Sequence, residues 1–533
     1  MSLPERLARS GSMSLFGSGF AALIALALTV VIANGFGAYG TGLFFQALAV
    51  FTIASQVMRL GTPSGLVKFI SEQRAFGRRG EMWRSIAIAV LPVAAIATLG
   101  AVAISLYADE VAAWLAPESE RVFFAEVLRS MGPFVVVGSV LAVLQTATRM
   151  ISGVGVFTLL QSVLLPASRL LAVAMAIVLS WNALEAFQAY LGVLPAWLVV
   201  TIVILTRPLV RDWKVRAEGT EGFAPAVRRF WRFSGSRAIG GAFETALEWS
   251  DVLIVAVLGS PMAAGIYAVA TRTVRAGQIV DRAMRLAVSP RISELLARAE
   301  VPAAIRLHTI VTRVMILINW PYYLLLATMG PIVLSIFGSQ FTEGAIVLAV
   351  LAGAMMLSAA AGMLQSVLLQ GGKSSWQMYN KGLILGLSIG LNVALVPWIG
   401  ILGAAITWAA CVVVETAIAA WQVHQRMGVR LEPKKLLLAM ALPLTIFGLG
   451  GMVLRFVFEP SPLVLLIGVL ILGSVYLVLL WFLRDRLHIT PLWHEIPVLG
   501  RWASRERASV PPKRSSRRLP DPTKSTAPAD RLR

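Results

Sequence analysis

The stretch 463–483 reads LVLLIGVLILGSVYLVLLWFL and contains no charged residue. A helix needs about 20 apolar residues to cross the hydrocarbon core of a bilayer, and this stretch is long enough. Similar runs recur along the chain, separated by short polar loops. Of all residues, 57% are apolar and only 14% are charged, whereas a soluble domain has about 45–50% apolar and about 25% charged residues. The sequence therefore predicts an all-α integral membrane protein.

The apolar runs predict about fourteen transmembrane helices, in two groups of six followed by two extra C-terminal helices. The predicted spans are 12–34, 41–60, 83–107, 122–146, 156–180, 186–206, 238–258, 262–286, 310–337, 345–369, 378–396, 401–423, 436–454 and 463–483. The predicted regions are an N-terminal bundle at 1–206, a basic cytoplasmic linker at 207–237, a second bundle at 238–424, two additional helices at 425–484 and a basic cytoplasmic tail at 485–533. We expect the tail to be disordered, because its composition cannot bury enough apolar surface.

Lysine and arginine are concentrated in every second loop. The loop at 207–232 is rich in both, whereas the longest loop of the other set, 108–121, carries four carboxylates against one arginine. Because Lys and Arg are retained on the cytoplasmic side during insertion, this alternation predicts that both termini are cytoplasmic. It also accounts for the net charge of +20 without a nucleic-acid partner.

The loops carry no sequence signature of catalysis or of metal binding. Cys411 is the single cysteine and lies in an apolar run, while His308, His424, His488 and His494 lack metal-ligand spacing and are expected to be solvated. No outer loop pairs catalytic side chains, and no phosphate-cradling glycine loop is followed by a lysine. No run has the form of a removable signal peptide. The sequence predicts a protein without catalytic residues, metal or cofactor.

A short internal repeat supports the two-bundle prediction. The stretch 42–47, GLFFQA, is answered by GIYAVA at 265–270, and KFISE at 68–72 is answered by RISE at 291–294. Both offsets are 223 residues. Since six predicted spans separate the copies, the two halves have the same orientation and are parallel repeats, with the substrate path expected between them.

Charged residues inside spans are costly, at about 2.5–3.5 kcal/mol each on insertion scales, and therefore mark pathways or partners. Three carboxylates at i, i+4 and i+7 share one face of the seventh span: Glu244, Glu248 and Asp251. Arg272 and Arg275 share a face of the next span. Glu248 and Arg272 are equally far from the turn between the two spans, so we expect them to lie at the same depth and to form a contact. If the carboxylates neutralise these arginines, the pairs only hold the two helices together. Basic residues that remain unpaired are candidates for binding a substrate.

Three more charges fall in other spans: Arg169 in the fifth, Lys381 in the eleventh and Glu415 in the twelfth. No carboxylate lies in the span of Arg169, and a guanidinium matches phosphate oxygens in a bidentate way, so a diphosphate would suit it. The candidate substrate-binding residues are Arg169, Arg272, Arg275 and Lys381. The candidates for charge pairing or coupling are Glu244, Glu248, Asp251 and Glu415.

Several stretches together indicate a family. They are Gly42-Leu43-Phe44 at the start of a span, Leu60-Gly61 leading to 68–72, the segment from Ser250-Asp251 to Gly265-Ile266-Tyr267, and GILGAA at 400–405. Over about residues 10–425 the chain resembles the polysaccharide-transport (Wzx-like) flippases of the MATE and MOP superfamily. Asp251 and Tyr267 match a recurrent Asp and Gly-x-Tyr pattern of these proteins.

The resemblance implies two six-helix bundles around a basic central cavity and alternating access in a bacterial plasma membrane. The implied substrate is an undecaprenyl-diphosphate-linked oligosaccharide, moved from the inner to the outer leaflet for surface polysaccharide biosynthesis. On this analogy Arg169 and Arg272 line the cavity. The implied partners are the polyprenyl-diphosphate-linked sugar and membrane lipids, together with polysaccharide polymerases and glycosyltransferases.

Four alternatives remain open from the sequence alone. A lipid II flippase would carry similar charges, whereas a MATE-type multidrug exporter should have uncompensated carboxylates for its cationic substrates. A membrane glycosyltransferase or polymerase should have a larger outer loop with catalytic side chains than 108–121. A purely structural scaffold would not explain the charges inside the spans.

Overall fold

The computed structural model describes residues 3–213, 222–298, 300–364, 367–368, 374–427, 436–459, 461–484 and 486–487. These residues are overwhelmingly helical, and no β-strand occurs among them. The predicted all-α class is therefore confirmed. His488, His494 and the predicted disordered tail, apart from Arg486 and Leu487, lie outside the described residues.

Nineteen α-helices are described in these parts of the chain, several of them joined by single 3₁₀ or π turns. They are α1 Leu3–Met58, α2 Thr62–Ala75, α3 Met82–Leu106, α4 Ala108–Leu115, α5 Arg121–Ile151, α6 Val154–Thr158, α7 Leu165–Val178, α8 Ala183–Gly192, α9 Leu194–Trp213, α10 Phe223–Leu258, α11 Pro261–Ala276, α12 Ile279–Ala297, α13 Val301–Thr328, α14 Gly330–Ser335, α15 Ala345–Ala361, α16 Ser374–Met427, α17 Leu437–Pro443, α18 Gly450–Val457 and α19 Pro462–Leu483.

Ten helical segments of the described chain are long and apolar enough to cross a membrane. Two of them contain a break, at Gly37 with φ of 64° in α1 and at Gly400 with φ of 58° in α16. A positive φ is readily adopted by glycine and interrupts the helix there, and each of these two segments covers two predicted spans. The protein is a multi-pass membrane protein, and the total of fourteen spans stays a prediction.

The eighth predicted span, 262–286, is wrong in its extent. It is divided into α11, which is 16 residues long, and α12, with Gly277 and Gln278 between them. A side chain on Gly277 would meet the hydroxyl of Tyr323 at 2.7 Å and the ring of Tyr322 at 2.8 Å, so the break lies where α13 packs closely. A pattern of apolar residues reports helicity on both sides of such a break but does not reveal the break itself.

The repeated segments cross each other in space. A Cβ atom on Gly42 of α1 would lie 1.7 Å from the carbonyl oxygen of Pro261, and one on Gly265 of α11 would lie 2.0 Å from that of Ala38. Small residues allow helix backbones in membranes to approach closely, where dispersion and weak C–H···O contacts hold them. The first residue of each repeat copy therefore lies at a close contact between α1 and α11.

Helix α10 joins the two halves through its length. At its amino end, Phe230 is buried in a cluster with Leu66, Phe69 and Ile70 of α2. Toward its carboxyl end, Val252 and neighbouring residues are buried in the central core that also holds α1 and α11. Of the predicted linker at 207–237, the residues up to Trp213 belong to α9 and those from Phe223 onward belong to α10.

The last helices pack on α13. The Tyr476 hydroxyl of α19 donates to the Leu317 carbonyl oxygen at 2.6 Å, and Arg313 donates to the carbonyl oxygen of Leu487 at 2.6 Å. Their other faces expose large apolar side chains, such as Phe456 at 78% and Phe482 at 76%. Exposed apolar surface of this extent is expected for helices whose solvent is lipid.

Candidate functional site

Among the described residues, Arg169 of α7 makes one side-chain hydrogen bond: its Nη1 donates to the Tyr190 hydroxyl of α8 at 3.1 Å. The guanidinium carbon lies 4.4 Å from the centre of the Tyr190 ring. The Arg169 Nε is buried and has no hydrogen-bond partner. As expected from its span, Arg169 has no ion pair with a described carboxylate, and an aromatic ring stabilises its charge instead.

Arg272 of α11 has the same kind of environment in the second half. Its guanidinium carbon lies 4.0 Å from the centre of the Phe45 ring and 4.8 Å from that of Trp249. Its Nε is also buried without a partner, and no ion pair joins Arg272 to a carboxylate in the described chain. Two arginines in membrane helices therefore keep unused N–H groups.

A chain of aromatic rings connects the two arginines. Phe44 packs edge-on against Tyr190 with ring centres 5.7 Å apart, and against Phe45 at the same separation. Both phenylalanines are 1% exposed. We call Phe44, Phe45, Arg169, Tyr190, Trp249 and Arg272 the arginine–aromatic cluster. Helices of both halves contribute to it, which brings the two arginines predicted to line the central cavity into one cluster.

The predicted contact between Glu248 and Arg272 is wrong. Glu248 instead pairs with Arg275, whose Nη1 lies 3.1 Å from the carboxylate and whose Nη2 donates to the Glu248 carbonyl oxygen at 2.7 Å. Counting residues from the turn at Ser260 predicted the depth of the partner of Glu248 to within one helical turn. It could not predict how α11 is rotated about its axis, which decides whether Arg272 or Arg275 faces Glu248. That rotation directs the Arg272 side chain to Phe45 and Trp249.

A second feature is a cavity of about 560 Å³ bounded by α10, α11, α12, α13, α15 and α16. We call it the mixed-charge cavity, because four acidic and four basic side chains line it. They are Glu244, Glu248, Asp281 and Glu415 with Arg275, Arg282, Arg285 and Lys381. The structure thus gathers five of the predicted candidates here, whereas Arg169, Arg272 and Asp251 do not line this cavity.

Lys381 is not an isolated cation. Its Nζ lies 2.7 Å from a carboxylate oxygen of Glu415, and the pair connects the two arms of the bent helix α16. Both side chains are less than a quarter exposed. Since breaking a half-buried pair leaves an unpaired charge, this contact has a structural role whatever else it does.

Asp251 of α10 is 2% exposed, and donors on two other helices hold its carboxylate. Its carboxylate accepts hydrogen bonds from the Tyr267 hydroxyl of α11 and from Ser388 and Asn392 of α16, each at 3.3 Å. The Asn392 Oδ1 is buried and has no hydrogen-bond partner. The resemblance singled out Asp251 and Tyr267 without predicting their contact, and it missed Ser388 and Asn392, which are separated from Asp251 by more than a hundred residues.

Two further buried polar residues lie on α13. The Asn319 amide donates to the Asp281 carboxylate at 2.6 Å, and neither residue was singled out in the sequence. His308 is 3% exposed, so the prediction that it is solvated is wrong. The sequence placed it in a loop before the span, whereas α13 already begins at Val301 and His308 packs against Gly362 at the end of α15, where an added Cβ would lie 3.1 Å from its Nε2. Within the described ranges no group of His, Cys, Asp and Glu could hold a metal ion.

The fold and the buried charges define the class of protein: a helical, multi-pass membrane protein with charged side chains buried among its membrane helices. The chain belongs to the family described as polysaccharide biosynthesis protein, whose sequence model matches residues 7–296.

Named relatives agree with this assignment. The chain is 26% identical over 219 residues to a probable low-salt glycan biosynthesis flippase, Agl15, of Haloferax volcanii. This match covers 39% of the chain and 44% of the relative, so the chain spans less than half of the length of the curated relative it matches.

Solved structures share the fold. Lipid II flippase MurJ in an inward closed conformation has a TM-score of 0.67 and 13% identity, over 89% of this chain and 99% of that one. A MATE transporter, VcmN, of Vibrio cholerae has a TM-score of 0.53 and 15% identity, over 79% of this chain and 97% of that one. At such low identity the likeness shows a shared fold and nothing more. These relatives are flippases and transporters rather than enzymes.

Proposed function

We propose that this protein translocates an undecaprenyl-diphosphate-linked oligosaccharide from the inner to the outer leaflet of a bacterial plasma membrane for surface polysaccharide biosynthesis. The observation that carries the proposal is the pair of arginines in the arginine–aromatic cluster. Each has a buried Nε without a hydrogen-bond partner, and neither is neutralised by a described carboxylate.

A diphosphate supplies what these arginines lack. Phosphate oxygens accept parallel hydrogen bonds from the planar guanidinium fork, and such charge-assisted bonds are roughly twice as strong as neutral ones. The cluster joins the two halves through Phe44 and Phe45, so a ligand bound there would contact both halves of the transporter. The relative named as a glycan biosynthesis flippase supports a lipid-linked glycan as the cargo.

Movement is proposed to occur by alternating access. Gly42 and Gly265 lie next to turns that the charge alternation assigns to the outer side, so their contact closes that side. Opening it would separate α1 from α11 and expose the arginine–aromatic cluster. Asp251 is the proposed coupling residue, because a buried carboxylate held by donors on two other helices responds to their relative movement.

A lipid II flippase is the second candidate, favoured by the structural likeness to MurJ over most of both chains. Its cargo carries the same diphosphate, so the arginine–aromatic cluster does not separate the two functions. A multidrug exporter is disfavoured because the acidic side chains of the mixed-charge cavity are matched by basic ones.

The test is reconstitution of the purified protein into liposomes with fluorescent polyprenyl-diphosphate oligosaccharide or with lipid II in the inner leaflet. We expect the oligosaccharide to become accessible to an external glycosidase and lipid II to remain protected. Accessibility of lipid II alone would replace the first function by the second. No movement of either lipid under an imposed potential and ion gradient would contradict both.

A further inference from the structure

A basic groove on the predicted cytoplasmic face lies apart from the residues used above. It has a volume of about 690 Å³ and lies between α2 and the amino end of α10. Its charged lining consists of Lys68, Arg228, Arg229 and Arg232, with Phe233 as an aromatic wall. We call it the basic groove.

Three of these four cations are available to a ligand. Arg229 is committed to Glu72, whose carboxylate lies 2.7 Å from its Nη1. Arg228 and Arg232 are exposed and form no ion pair with a described residue. They are four residues apart on one face of α10, where like charges repel each other. A bound anion would relieve this repulsion.

The walls of the groove are preformed. A Cβ atom on Gly65 of α2 would lie 2.1 Å from the Ser234 hydroxyl oxygen, so α2 and α10 touch closely below the basic residues. Lys68 is held with its Nζ 4.3 Å from the centre of the Phe233 ring. A preorganised cationic site loses little conformational entropy when an anion binds.

We propose that the basic groove binds the phosphate of an anionic glycerophospholipid from the cytoplasmic leaflet. Guanidinium groups match phosphate oxygens, and clusters of basic residues on the cytoplasmic side of membrane helices attract anionic lipid headgroups. Phe223, the first residue of α10 and the neighbour of the lining residue Ala224, is 60% exposed. An anchored headgroup would fix the end of the helix that joins the two halves.

Native mass spectrometry of the full chain in detergent, titrated with phosphatidylglycerol or phosphatidylcholine, tests the proposal independently of transport. The test variant is the double change Arg228→Gln and Arg232→Gln. Because each basic residue near an anionic lipid contributes to binding, we expect phosphatidylglycerol affinity to fall on the order of tenfold. Phosphatidylcholine binding should not change.

The matched control is the double change Arg291→Gln and Arg298→Gln, which removes the same charge from another predicted cytoplasmic segment. Both arginines are already paired with Glu294, at 2.7 and 2.6 Å, and the hydrogen bond from Arg291 lowers the pKa of that carboxyl group. The control should bind phosphatidylglycerol as the wild type does.

Two outcomes would overturn the proposal. If the test variant and the wild type bound phosphatidylglycerol with equal affinity, the groove would not be a lipid site, and a soluble acidic partner would be the remaining ligand class. Displacement of phosphatidylglycerol by inorganic phosphate, at an ionic strength matched with chloride, would show that the groove takes free phosphate rather than a lipid headgroup.

Discussion

Gly42 and Gly265 lie against each other at the crossing of α1 and α11, and neither position has room for a side chain. They are the first residues of the two repeat copies. This contact joins equivalent helices of the two halves, so a change at either glycine acts on the interface between the halves.

Gly265→Leu should destabilise the protein by about 1–3 kcal/mol, because overpacking forces neighbouring backbone apart. The measurement is the melting temperature of the purified protein in detergent. The control is Gly353→Leu on α15, where an added Cβ meets nothing within 4 Å. Equal melting temperatures for the two variants would contradict the close contact.

The ion pair between Glu248 and Arg275 should be visible in a double-mutant cycle. Glu248→Gln and Arg275→Gln should each destabilise the protein, and the double variant should lose less than the sum, with a coupling of about 0.2–1 kcal/mol for a partly exposed pair. The same cycle with Arg272→Gln in place of Arg275→Gln should give a smaller coupling. The reverse order of the two couplings would restore the pairing predicted from the sequence.

The predicted orientation can be checked by labelling introduced cysteines with a maleimide that does not cross membranes. In a Cys411→Ser background, Glu110→Cys on α4 should react in intact cells, and Arg228→Cys should react only after the cells are opened. Both positions are exposed, so access to the reagent is not limited by the fold. Labelling of both in intact cells would exclude the predicted topology.

The features that the sequence predicted are those that a bilayer imposes. The thickness of the hydrocarbon core sets the length of a span, and membrane insertion sets the charge of the loops. A span such as 463–483 can therefore be predicted without knowledge of the tertiary structure. The repeat at an offset of 223 residues singled out Gly42 and Gly265, but the sequence did not predict that the two glycines lie against each other.

The features that the sequence missed depend on helix rotation and on distant partners. The sequence placed Arg272 and Arg275 on one helix face. In the structure Arg272 lies on the Phe45 ring, whereas Arg275, three residues later, forms an ion pair with Glu248. Tyr190, the partner of Arg169, leaves no periodic signal because it lies on a different helix. Ser388 and Asn392 reach Asp251 only through the packing of α16 on α10.

Asp251→Asn should separate a coupling role from a structural one. The amide keeps the shape of the carboxylate and can still accept hydrogen bonds, so we expect near-normal abundance but at least a roughly tenfold loss of transport. Asp251→Ala should lower abundance as well, because Tyr267, Ser388 and Asn392 would lose a buried acceptor at a cost of about 1–3 kcal/mol. Wild-type transport by the Asn variant would make Asp251 a purely structural residue.

Arg169 and Arg272 provide the sharpest test of the proposed cargo. As diphosphate ligands they need the planar fork of a guanidinium, which lysine lacks. Arg169→Lys and Arg272→Lys should therefore each lose most of the transport at normal abundance, and Arg169→Ala should lose nearly all of it. Tyr190→Phe keeps the ring under Arg169 but removes the hydroxyl acceptor, so its effect should be smaller.

The measurement is surface polysaccharide output divided by the amount of folded protein in the membrane. The control is Arg455→Ala on α18, an arginine whose guanidinium carbon lies 5.9 Å from the Phe456 ring centre, outside the arginine–aromatic cluster. This variant should keep wild-type output. If Arg169→Ala lowered abundance and output in proportion, Arg169 would have a structural role, since its removal would then act on folding alone. Wild-type output from Arg169→Ala at normal abundance would exclude Arg169 from the substrate path, and the diphosphate would have to be bound elsewhere.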